Sequence, residues 1–165
     1  MASTNDRRGE WAREACYEAA LVVEHTLRSL SAELRRADVT AEVDLPPNLI
    51  LRGGFWELHR ALQGLLLRAL RRTAPGGELA VTVVEESHGI AFEIADDGRS
   101  VPDTVVDDEG HPMIAGRIHA DLDEELQRVR REVAGLEATV VEQACPQGGL
   151  AVTLWLPRQS RRAAA

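Results

Sequence analysis

Four of the nineteen basic residues, Arg60, Arg68, Arg71 and Arg72, crowd into one short stretch. At the helical period, Arg60, Gly64, Leu67, Arg68 and Arg71 share one face, while Leu58, Leu62, Leu65, Leu66 and Ala69 share the other. Guanidiniums bind phosphate or carboxylate through a planar fork. The arginine face is therefore an anion-binding strip, a solvated surface, or a face that closes on the chain's own acids. The last is expected here, with Arg68 pairing to Asp96, Asp97 or the acidic stretch beyond them. From Glu93 to Glu125 there are eleven acidic residues against two arginines, so this stretch carries the chain's whole acidic excess of 8. A neutral imidazole on a helix face can accept a phosphoryl group, which makes His25 a second candidate. His111 and His119 stand near Asp107 and Asp108 without the spacing of metal ligands, so no metal site is expected.

Every basic residue is arginine, and the sequence has no lysine. This excludes a Walker-type phosphate loop, a Schiff base, a Ser-Lys dyad and the paired lysine of protein kinases. The net charge of −8 argues against a nucleic-acid partner. No apolar run approaches the roughly 18 residues of a membrane span. The polar start, MASTNDRRGEW, lacks a signal region, so a cytoplasmic protein with no membrane partner is expected. Cys16 and Cys145 are isolated and read as small buried or inert thiols rather than a disulfide.

The elements that must position these residues follow from periodicity and punctuation. Residues 1–8 read as a polar tail, 9–157 as one domain, and 158–165 as a second tail. A long helix is predicted from Gly9 to Arg36, with a stripe at Cys16, Ala19, Ala20, Val23, Leu27, Leu30 and Leu34. Trp11 with Ala12, Ala15, Cys16 and Ala19 would give it a small-residue face suited to a homodimer contact. Strands are predicted at Thr40–Leu45 and Leu49–Leu51, then a Gly53-Gly54 turn and a helix from Phe55 to Thr73. Glu78–Glu85 and Gly89–Asp96 read as a hairpin. Residues 97–118 read as an irregular loop, Ala120–Ala134 as a third helix, and Ala138–Gln143 and Leu150–Leu156 as two last strands.

This order, with several whole phrases, resembles the ATP-binding domain of sensor histidine kinases and the wider histidine-kinase-like (GHKL, Bergerat-fold) ATPase superfamily. The likeness covers about Tyr17 to Pro157. NLILRGGFWELHRAL leads into a segment similar to the family's N box, LLLRALRRTAPGGEL. IAFEIADDGRSVP is similar to the G1 box, and GGLAVTLWLP to the last strand. The resemblance implies an α/β two-layer sandwich, with a mixed, mostly antiparallel sheet of about five strands and three helices on one face.

It also implies roles. Asp96 would hydrogen-bond the adenine amino group beside Gly98, and Arg71 would be the basic residue facing the phosphates. Gly64 and Arg68 stand where the family has asparagines, the second of which holds magnesium. A guanidinium has no lone pair to offer a metal. Ser100 replaces the second glycine of the G1 box, Leu150 replaces a threonine, and the glycine-rich G2 box has no counterpart. Asp96, Gly98, Arg71 and Arg68 thus form a degenerate nucleotide pocket.

The expected function is that of a non-catalytic regulatory protein in bacterial signal transduction. Its partner would be a response regulator, a histidine kinase or a sigma or anti-sigma factor, met through the acidic loop and the arginine face. No cofactor is expected, ATP or ADP binding only weakly and without a working magnesium site. Two alternatives are an ATP-dependent kinase of the histidine-kinase or anti-sigma type and a phosphotransferase using His25. The phrase EHTLRSL around His25 is similar to the phosphoacceptor phrase of histidine kinases.

Overall fold

The computed structural model of the chain describes residues 16–97, 104–106, 112–145 and 149–158, and only the backbone for 104–106 and 112–123. Trp11, Ala12, Ala15, Gly98, Ser100 and the acids at 103 and 107–109 lie outside the described residues.

The first element is not helical. Cys16–Glu18 is a short strand, β1, and pairs antiparallel with Ile50–Arg52, β3. This corrects the continuous helix expected from Gly9 to Arg36. Helix α1 begins at Ala19 and ends at Ser29, and a second, α2, covers Ser31–Ala37. No proline or glycine marks the break between them at Leu30. The cause is side-chain competition for backbone carbonyls. The Thr26 hydroxyl donates to the Val22 carbonyl at 2.7 Å, and Ser29 donates to the Thr26 carbonyl at 2.7 Å. The Leu30 N–H is then shared between the Thr26 and Leu27 carbonyls. Of the reading of the two cysteines as buried or inert thiols rather than a disulfide, the burial is corrected: both are free, Cys16 exposed and Cys145 half-buried.

Strand β2 is Thr40–Asp44 and helix α3 is Phe55–Arg72. Gly54 starts α3 with φ of +65°, and a side chain there would collide with Leu136, its Cβ only 2.3 Å from Leu136 Cδ2. The strands β4 (Glu78–Glu85) and β5 (Gly89–Asp96) fall where alternation and turn residues predict them. Residues 97–118 are not wholly irregular. Thr104–Val106 (β6) pairs with Pro112–Ile114 (β7), and helix α4 starts at Ala115 and runs to Val133, not from Ala120. Strands β8 (Thr139–Ala144) and β9 (Leu150–Pro157) complete the chain's main sheet.

That sheet has the order β2-β4-β5-β9-β8. Only β2 and β4 run parallel. The pairs Val81↔Ile94, Val83↔Phe92, Phe92↔Leu154 and Ile94↔Val152 are in register and bring one face's apolar residues together. Phe92 and Leu154 are fully buried, as are Val22, Leu58 and Val133 from the helices. The other face carries Glu93 and Thr153, which are at least partly exposed. One covered and one wet face is the usual state of an antiparallel sheet. The α/β sandwich with a mixed five-strand sheet and helices packed on it is therefore as expected. No helix among the described residues is long and apolar enough to cross a membrane.

Candidate functional site

The C-terminal half of α3 lies beside the ends of β5 and β9, where Asp96 and Leu150 sit. The α3 face that carries the arginines is only partly open, with Arg60 and Arg71 half exposed and Arg68 buried. Helix α4 packs along it, and the side chain of Val129 stands so close to Gly64 that a Cβ there would lie 2.8 Å from Val129 Cγ2. Gly64 is thus the point of close approach between α3 and α4, and a side chain at this position has no room. Of the three readings of this face, closure on the chain's own acids is the one the ion pairs fit, although Arg60 and Arg71 keep half their surface in water.

Each arginine of this face has a carboxylate. Arg60 Nε is 2.9 Å from Glu132 Oε2, with Arg60 half exposed. Arg68 is only 4% exposed and is ion-paired to Glu142 of β8. Arg71 Nη1 is 2.9 Å from Glu125 Oε2, and Arg128 Nη2 is 3.0 Å from Glu125 Oε1. The Glu125 side chain is buried, so one acid sits between two guanidiniums. Arg72, one residue off the predicted face, places Nε 3.2 Å from Asp96 Oδ2. Asp96 Oδ1 accepts the Leu150 N–H at 3.2 Å. Asp97 Oδ2 accepts the Glu78 N–H at 3.2 Å.

Arg68 is expected to pair with Asp96, Asp97 or the acidic stretch beyond them; among the described residues its carboxylate is Glu142, and Arg72 is on Asp96. Glu142, Glu125, Arg128 and Arg72 were not singled out from the sequence as partners. Periodicity orders residues around one helix but does not say which element will cover it. Only the high acid content around Glu125 pointed this way.

Among the described residues the arrangement is one of ion pairs. Its guanidiniums donate only, and two of its carboxylates, those of Asp96 and Glu125, have both oxygens bonded. Arg68, at the position the resemblance assigns to a magnesium ligand, cannot ligate. Among the described residues, no group of three or more His, Cys, Asp or Glu is placed to hold a metal.

His25 lies elsewhere, in a ring cluster at the start of α3. Its ring centroid is 4.8 Å from His59, 5.6 Å from Trp56 and 5.8 Å from Phe55. Trp56 is 58% exposed, whereas His59 is buried. Thr26 Oγ1 lies 2.9 Å from His59 Nδ1. The one hydroxyl proton of Thr26 is given to Val22, so Thr26 accepts from His59. Neutral His59 thus carries its proton on Nδ1 and leaves Nε2 as an acceptor. Burial pushes the His59 pKa below the ordinary 6.5, with the nearby His25 and Arg60 adding to the effect.

No family model matches the sequence, and no curated protein matches it. Solved structures do match. The catalytic domain of histidine kinase ThkA superposes with a TM-score of 0.68 at 10% identity, over 87% of this chain and 95% of that one. The Acinetobacter baumannii histidine kinase AdeS gives 0.66 at 18% identity, over 88% of this chain and 68% of that one. The mycobacterial sensor histidine kinase MprB gives 0.63 at 19% identity, over 87% and 97%. A further ThkA structure, in complex with the response regulator TrrA, gives 0.62 at 12% identity, over 87% and 41%. At these identities the likeness is one of fold: the chain has the histidine-kinase-like ATPase fold.

Proposed function

We propose that the protein is a degenerate histidine-kinase-like ATPase domain that works without catalysis, as a regulatory binding partner in bacterial signal transduction. One observation carries this reading. The groups that the resemblance places on a nucleotide are engaged by the chain itself: Arg68 with Glu142, Arg71 with Glu125, and Asp96 with Arg72 and the Leu150 N–H. Glu142 and Glu125 supply negative charge beside the two guanidiniums that would otherwise attract phosphates. A magnesium nucleotide does not fit this donor set, because the position of its ligand is a guanidinium already in an ion pair.

A protein partner fits what the surface offers. ThkA has been captured with a response regulator. By analogy the partner of this chain is a response regulator, a histidine kinase or a sigma or anti-sigma factor, in the cytoplasm. The exposed Trp56 is the large apolar group best placed to anchor it.

Calorimetric titration with ADP and magnesium tests the reading. The expected result is no saturable heat up to millimolar ADP. Micromolar binding that disappears in Asp96→Ala would overturn it in favour of a nucleotide-dependent kinase.

A further inference from the structure

A cavity lies at the end of the sheet opposite Asp96. Asp96 ends β5, whereas Ile90 near its start lines this cavity, about 20 Å away along the strand. The space is about 180 Å³ and opens between β3, the start of α3 and the ends of β4 and β9. Its lining is mixed, and the apolar part comes mainly from aliphatic side chains. Ile90 and Leu156 face each other in register across β5 and β9, and Leu51, Leu58 and Leu136 close the inner side. Leu51 and Leu58 are buried. Tyr17 is fixed at one edge, its hydroxyl donating to the Gly53 carbonyl at 3.0 Å.

The rim is charged, and unevenly so. Arg52, Arg158 and Glu85 all line the cavity. Arg158 Nη2 is paired to Glu85 Oε1 at 2.5 Å. Arg52 has no ion-pair partner among the described residues. One uncompensated guanidinium therefore sits at the mouth of the cavity. A cavity of about 150 Å³ lined by aliphatic side chains is enough for benzene. Bidentate contact with a carboxylate is the strong bond a guanidinium makes.

We infer that this cavity is a binding site for a small amphipathic carboxylate, with a ring-sized apolar body seated on Ile90, Leu136 and Leu156 and its carboxylate on Arg52. The site does not depend on the state of the nucleotide pocket, since it shares no residue with it. A ligand here touches the start of α3 and the segment after α4, the two helices that the arginine–carboxylate pairs join.

Methyl-labelled protein titrated by NMR with benzoate, benzyl alcohol and acetate tests the inference. Benzyl alcohol lacks the charge and acetate lacks the body. The expected result is saturable movement of the Ile90, Leu136 and Leu156 methyl signals with benzoate. Each control should bind at least about tenfold more weakly, and Arg52→Gln should weaken benzoate by about tenfold. Arg52 is exposed, so this variant keeps the fold. The inference is overturned by any of three results: no saturable movement, binding of either control as tight as benzoate, or benzoate binding unchanged by Arg52→Gln.

Discussion

Arg72 reaches from the last turn of α3 to Asp96 at the end of β5, Nε to Oδ2 at 3.2 Å, and so ties the helical layer to the sheet at the site's centre. Asp96 is nearly fully buried and Arg72 largely so. Removing Arg72 leaves the buried Asp96 carboxylate without this guanidinium, with the Leu150 N–H still on its other oxygen. Arg72→Ala should therefore destabilise the protein by about 2–4 kcal/mol. Replacing both residues by alanine should cost clearly less than Arg72→Ala and Asp96→Ala added together. Urea unfolding of the four proteins measures this. Additive costs would mean that the two side chains do not interact.

The arginines of α3 should differ in worth although they line one helix. Arg68 is 4% exposed, with Glu142 about one-third exposed. Arg60 and Glu132 are open to water. Exposed pairs contribute about 0–1 kcal/mol, whereas breaking a buried one costs several. Arg68→Ala should cost about 2–4 kcal/mol after allowing for the wet side of Glu142. Arg60→Ala should cost less than about 1 kcal/mol. Thermal melts at low and high salt distinguish them, because only the Arg60 pair should weaken as salt is added. Equal costs at the two positions would contradict the burial difference.

The sequence located the hairpin of β4 and β5 to the residue, because strict alternation runs between Gly77 and the turn at Ser87 and His88. It also located α3, whose apolar stripe is clean and whose ends carry Gly54 and Pro75. The break at Leu30 was hidden, since Thr26 and Ser29 act there through hydroxyls that a hydrophobic pattern does not register. β1 was hidden for a different reason: three residues are too few for a period, and its partner β3 is some thirty residues away. At the site, periodicity correctly grouped Arg60, Gly64, Arg68 and Arg71. The expectation that this face closes on the chain's own acids needs only the charge pattern, but periodicity gives no means of knowing that α4 would be the element lying across it. The resemblance puts Arg68 at the family's metal position, and its carboxylate on β8 is not legible in the sequence because β8 is distant from it.

Gly64 gives a test in which two known effects oppose each other. Alanine is favoured over glycine within a helix by about 1 kcal/mol. Here its Cβ would stand 2.8 Å from the Cγ2 of Val129, a stiff and fully buried side chain. Overpacking of this kind costs about 1–3 kcal/mol, so the clash should win and Gly64→Ala should be destabilising. In a Val129→Ala background the clash is gone and the helix preference remains. There the same change should be neutral or stabilising. Denaturant midpoints of the four proteins decide it, and a destabilising Gly64→Ala in both backgrounds would rule out the contact with Val129 as the cause.

His59 should make stability depend on pH in a fixed direction. Its pKa in the fold is held below 6.5, first by burial and then by His25 and Arg60. In the unfolded chain the imidazole returns to about 6.5 and takes up a proton more readily. Between the two values the unfolded state binds more protons, so folding stability rises with pH there. The contribution is fully present above about pH 6.5 and is lost as pH falls through the folded value. The facing groups set this balance: Thr26 accepts the Nδ1 proton, while His25 and Arg60 are the nearby basic groups. A glutamine amide in place of the imidazole can keep the bond to Thr26 but cannot titrate. His59→Gln should therefore lose less stability than the parent between pH 7.5 and 5.5, whatever the other acids contribute to both. Proton–nitrogen correlation spectra at pH 7.5 should also show the proton of His59 on Nδ1. Parallel stability curves for the two proteins, or a neutral His59 protonated on Nε2, would overturn this account of the Thr26–His59 bond.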